Sequence, residues 1–264
     1  MPSQCTKAPT SAISTSTTST PVTMKRRVRG FTRPIYVAVR SPGYVVHMGE
    51  LRLYAIGIDE VRDVFRASPE LAAELRRVAE TAYPPKTTPP APGLLGKLGP
   101  LFRRPAGAPV VSPDTPVEAD VADLLAARFI RPERQPAAWR LLEAYIDAQA
   151  WGRHRLDLDV NRFNDLEFDL ARAGLHPQFG LTRLVNDELR LPLQTYRGLS
   201  TGCIQHDQAL QAASAWRNVL NHLSAENRAI AEPYAAWLAQ FHHYGQMAPQ
   251  KARPAPDLVV IYRA

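Results

Sequence analysis

The sequence predicts an α+β fold: one mostly helical domain with a small sheet that pairs its first strand, 51–57, with its last, 257–263. Three observations carry this. Leu51, Leu53 and Ala55 alternate with Arg52, Tyr54 and Ile56, the period of two that marks a strand. Leu258-Val259-Val260-Ile261-Tyr262 is a short apolar run of the buried-strand type. Between them lies a succession of capped segments with helical periodicity.

Taken in order, Asp59 is expected to cap a short helix running to about Arg66. Ser68-Pro69-Glu70 then supplies an N-cap, a first-turn proline and a first-turn acid, with Leu71, Leu75 and Val78 as the buried stripe to about Ala82. Residues 84–113 hold nine prolines and four glycines and no acid, which reads as a long loop or insertion. Within it, Leu94 to Arg104 could form a basic membrane- or partner-binding element, but three helix breakers oppose that. Gly96-Lys97 lacks the Ser or Thr and the preceding strand of a phosphate-binding loop.

Thr115-Pro116-Val117-Glu118 has the form of a capping box, followed by Val121, Leu124 and Leu125. Pro136 is expected to open the next helix, with Trp139, Leu142, Tyr145 and Ile146 facing inward. Leu156, Leu158 and Val160 alternate with Asp157 and Asp159, as in a strand with one wet face. A helix is expected from about Asn164 to Ala173, closed by Gly174, and an extended segment over 189–197. A long helix should cover about Asp207 to Leu223. Ser224 caps another that Pro233 interrupts before it resumes to about Tyr244.

The whole chain carries a net charge of +7 and a pI of about 9.6. Its location matters more than its size. Lys7, Lys25, Arg26, Arg27, Arg29, Arg33 and Arg40 all precede the first carboxylate, Glu50, so 25 of the 32 basic residues remain to face all 25 acids. Capture of a phosphate backbone needs a basic face, which a neutral body does not advertise. Residues 1–23 contain twelve Ser or Thr and little that could offset the entropy of ordering.

The leader lacks the apolar segment of a secretory or twin-arginine signal. Its acid-free, Ser- and Arg-rich character resembles an organelle transit peptide, yet no amphipathic helix pattern accompanies it. The favoured reading is a disordered tail, or a start at Met24 or Met48. Arg outnumbers Lys 27 to 5, which suggests GC-rich coding DNA, where spurious upstream starts are common. No apolar run is long enough to span a membrane. The two cysteines, Cys5 and Cys203, exclude a disulfide framework and fit a reducing, cytoplasmic setting.

Candidate chemistry centres on Cys203, His206 and Asp207. A thiol, an imidazole and a carboxylate within five residues are the ingredients of a hydrolase nucleophile, although such partners usually converge from distant segments. The simpler reading makes Asp207 a helix N-cap and Cys203 a small buried hydrophobe. Asp157 to Asn161 opens like a calcium loop, but Arg162 and Phe168 stand where its glycine and bidentate glutamate belong.

His206, His222, His242 and His243 do not converge as metal ligands. Sixteen residues on a straight helix separate the first two by ~24 Å. Asp165, Glu167 and Asp169 fan around a helix surface rather than forming an acid–base pair. The tryptophans Trp139, Trp151, Trp216 and Trp237 fall mostly on apolar faces and read as core. No cofactor or metal is expected.

Leu53 to Arg62, then Phe163 to Leu184 with Leu191-Pro192-Leu193, then Asp257 to Tyr262 form a recognisable set. It resembles an uncharacterised family of bacterial domains of unknown function, whose members open with a "lyaidld…vr" strand and helix and close with a "dlv.fY" strand. The resemblance covers roughly residues 50–264 without the proline-rich stretch, and it implies a start near Met48 and a single α+β domain. It implies no activity, cofactor or catalytic residue. Related small bacterial domains are sometimes suspected of toxin neutralisation, which implies an interaction role.

Three functions therefore stay open. The favoured one is a cytoplasmic protein-interaction module, immunity-like in one form. The others are a hydrolase built on Cys203, His206 and Asp207, and nucleic-acid contact through the basic leader.

Overall fold

The computed structural model describes residues 49–83 and 112–264. The leader with its basic cluster and Cys5, and all but the last two residues of the proline-rich stretch, lie outside the described residues.

Four antiparallel strands form the sheet in the order β2-β1-β4-β3: β1 Glu50–Ile56, β2 Gly152–Asp157, β3 Leu199–Ile204 and β4 Asp257–Arg263. The first and last strands are its central pair, with Leu53 opposite Val260. Alternation along these strands sends side chains to two different cores. Leu51, Leu53, Leu258 and Val260 belong to one, and Tyr54, Ile56, Val259 and Ile261 to the other.

The helices divide by chain order. The second core is covered by α1 (Ile58–Arg62), α2 (Pro69–Ala82), α3 (Glu118–Leu125) and α4 (Gln135–Gln149). The first is covered by α5 (Val160–Arg172), α6 (Leu181–Val185), α7 (His206–Val219), α8 (Ala225–Leu238) and α9 (Phe241–Met247). The result is the expected α+β domain, with the sheet sandwiched between two helical layers.

Local chemistry fixes the helix ends. Ser68 Oγ accepts the Leu71 amide at 3.3 Å, and Ser224 Oγ accepts that of Asn227 at 3.3 Å. Gly174, with φ of 92°, follows the last turn of α5 in the left-handed conformation that glycine adopts without strain.

Several expectations are corrected. The alternating Leu156-Leu158-Val160 segment is a strand only up to Asp157, because Asp159 caps α5 by accepting the Arg162 amide at 2.8 Å. Asp159, at the third position of the calcium-loop match, is therefore a helix cap. The N-cap of α3 is Val117, whose amide is accepted by Asp120, so the box lies two residues beyond Thr115.

Residues 189–197 hold no strand; β3 begins just after them, at Leu199. Nor does Pro233 break its helix. It sits on the exposed side of α8, where water can satisfy the carbonyl that a proline leaves unpaired, and the break falls after Leu238.

Candidate arginine cleft

Asp257 starts β4 and caps two helices at once. Its Oδ1 accepts the His206 amide at 3.0 Å and its Oδ2 the Ile58 amide at 2.9 Å, at the first residues of α7 and α1. Asp207 is thus not the N-cap of α7; it is an acid in the first turn.

The His206 ring packs 6.3 Å from Phe241, with Nδ1 at 2.9 Å from the Pro256 carbonyl. Cys203 packs against the core of α1–α4, whereas Phe241 belongs to the core of α5–α9. Burial pushes the Cys203 thiol up to about 12, and the charge of Asp257 pushes the same way. The three residues are neighbours in sequence, and the hydrogen bonds of His206 run to Asp257 and to the Pro256 carbonyl. Gly202 shows what the segment is built for: a Cβ there would lie 1.6 Å from the Leu184 carbonyl, so the end of α6 rests directly on β3. Among the described residues there is no cluster of three or more His, Cys, Asp or Glu suited to a metal ion.

The polar chemistry lies at the opposite edge of the sheet. Glu143 stands on the inner face of α4 among Trp139, Leu142 and Ile146, with 4% of its surface exposed. Its Oε1 accepts from the Tyr54 hydroxyl, from Arg52 Nη1 and from Arg263 Nη1, each at 3.0 Å, and its Oε2 pairs with Arg263 Nη2.

The chain of charges continues outward. Arg52 Nε lies 2.8 Å from Glu50 Oε1, Arg155 Nε 2.9 Å from the same oxygen, and Arg155 Nη2 2.8 Å from Asp157. Arg153 pairs with Asp147. Four arginines thus meet four carboxylates.

These contacts set the proton affinities. Burial and then the negative charge of Glu143 hold Tyr54 well above the ordinary tyrosine range. Burial works against the charge of Arg263, but the hydrogen bond and charge of Glu143 outweigh it. Held by two guanidiniums and a phenol, the Glu143 carboxylate organises the arginines around it.

Above this network the helical layer stops short of β2, leaving an open cleft of about 420 Å³ lined by Arg52, Tyr54, Asp147, Arg153, His154 and Arg155. Arg153 and Arg155 occupy alternate positions of an edge strand, on one face, with side chains 66% and 60% exposed. Glu143 is the residue that sequence reasoning missed. Its signal was an acid at the fourth position after Trp139 and the third before Ile146, inside an otherwise apolar helical stripe.

Fold and cleft together define an α+β domain whose four-stranded antiparallel sheet carries an ion-paired arginine cleft at its β2 edge. The sequence pattern of a family described as a domain of unknown function (DUF7691) matches residues 48–263, and the chain belongs to that family. No curated protein and no solved structure matches it. Among the described residues no helix is long and apolar enough to cross a membrane.

Proposed function

We propose that this chain is a cytoplasmic protein-binding module that takes an acidic surface of a partner into the cleft between α4 and β2. The observation behind this reading is the lining: three arginines against one aspartate, with Arg153 and Arg155 more than half exposed on an edge strand.

Their present partners, Asp147 and Asp157, are themselves 44% and 52% exposed. Such surface pairs are worth roughly 0–1 kcal/mol, so a partner's carboxylates can replace them at little cost. The arginine fork then supplies bidentate, directional recognition, and the charge supplies rapid encounter. Glu143 and Glu50 keep the guanidiniums in place beforehand, which limits the ordering that binding must impose. An immunity role, in which the captured protein is a toxin, is one form of this reading.

Affinity capture from the native host at native expression tests it, comparing the wild type with an Arg153→Glu/Arg155→Glu variant. One stoichiometric partner should be recovered with the wild type and lost with the variant. Recovery of the same partner by both would remove the cleft from the account.

A further inference from the structure

β2 closes one side of the sheet. In the order β2-β1-β4-β3 it pairs with β1 alone, and among the described residues no strand lies beyond it. The register shows which backbone groups that edge offers. The Leu158 amide donates at 2.8 Å to the carbonyl of Gly49, which continues the pairing of Glu50 with Asp157. In an antiparallel ladder, residues that exchange such bonds alternate with residues that do not. Leu156, His154 and Gly152 therefore turn their amides and carbonyls toward β1. Arg153, Arg155 and Asp157 turn theirs outward, to the open edge.

The side chains follow the same alternation. Arg153 and Arg155 lie opposite Tyr54 and Arg52 and share their face of the sheet, which is the face of the cleft. Leu156 and His154 face the other way, Leu156 into the first core and His154 with its ring centroid 5.8 Å from that of Trp237 on α8. The residues that offer outward backbone groups are thus the ones whose exposed guanidiniums line the cleft. A bare edge accepts extended chains of many kinds. Here two successive rungs carry a positive charge, so an acidic chain is favoured over a neutral or basic one.

We propose that the partner adds an extended segment to β2 as a fifth, antiparallel strand, with acidic residues two apart opposite Arg155 and Arg153. Main-chain hydrogen bonds along the edge then supply affinity, and the arginines supply the choice of sequence. Asp157 turns outward in the same row, so a basic residue suits the position opposite it. The residues in between turn to the face of His154 and Leu156 and are apolar. The inference rests on the proposed reading of the cleft and specifies the form of its partner.

Fluorescence anisotropy with the full chain tests it, using the synthetic peptide Thr-Lys-Val-Glu-Val-Glu-Thr. In the antiparallel register its lysine meets Asp157 and its glutamates meet Arg155 and Arg153. A control peptide carries N-methyl groups on both glutamate amides; it keeps every charge but loses the donors that face the edge. The parent peptide should bind at least about tenfold more tightly than the control and should slow hydrogen exchange of the Arg153 and Arg155 amides. Equal binding of the two peptides would show that the cleft takes charge alone, which overturns the added strand and leaves the proposed function standing. Binding of neither overturns it as well, and capture with the Arg153→Glu/Arg155→Glu variant then decides the role of the cleft separately. Arg153 and Arg155 amides already protected in the free chain would mean that its own residues or a second copy occupy the edge, and this too overturns the proposal.

Discussion

Asp257 holds the backbone amide of His206 at 3.0 Å, and its second oxygen holds that of Ile58 at 2.9 Å. One carboxylate at the start of a central strand therefore ties helices from both covering layers to the sheet. Replacing it with alanine leaves two first-turn amides without their acceptor. Asp257→Ala should cost about 1–3 kcal/mol in chemical denaturation; a change below about 0.5 kcal/mol, the scale of an ordinary surface substitution, would contradict the double cap.

Glu143 is the keystone of the arginine network, because its removal takes from Arg263 its carboxylate and leaves Arg52 with Glu50 alone. Breaking a buried ion pair from one side costs about 3–5 kcal/mol, and Glu143→Ala should fall in that range. The same variant should loosen Arg52 at the cleft. A loss below about 1 kcal/mol would mean that water reaches the guanidiniums freely, contrary to the burial of Glu143.

The Cys203 thiol, pushed up to about 12 by burial and by Asp257, should behave as an inert core group. In a Cys5→Ser background, maleimide labelling at pH 8 should be slow for the native chain and fast in denaturant. Equal rates would contradict the burial of the thiol and favour the nucleophile reading of Cys203, His206 and Asp207.

Buried tyrosines make the fold sensitive to alkali. Burial raises Tyr54 and Tyr234 and lifts Tyr145 to about 12. Unfolded tyrosines release their protons near pH ~10, so above that point the unfolded state binds fewer protons than the native one. This contribution is complete below about pH 10 and is lost as the pH climbs toward 12. Tm should decline across that window, and Tyr145→Phe should flatten the decline. Identical slopes for the two proteins would contradict the assignment.

Much of the architecture was legible because local chemistry repeats itself. The terminal strands announced themselves by alternation and by an apolar run, and Ser68-Pro69 and Ser224 marked their helix starts to the residue. β3 was harder to see. Its Leu199-Ser200-Thr201-Gly202 segment is small and polar, and its pairing with β4 is a long-range event that no local pattern encodes. The arginine cleft was equally hidden. Arg52, Glu143, Arg155 and Arg263 come from four separate elements, and only the register of β1 with β2 and β4 assembles them. A lone acid on an apolar helical face was the one trace visible beforehand.

The proposed function rests on recognition of an acidic partner surface by Arg153 and Arg155. Titrating the captured partner against the wild type and against Arg153→Ala/Arg155→Ala, at low and high salt, measures it most directly. The double variant should bind at least about tenfold more weakly with unchanged stability, and the wild-type affinity should fall with salt while the variant's barely moves. Equal affinity and equal salt dependence for the two proteins would contradict it.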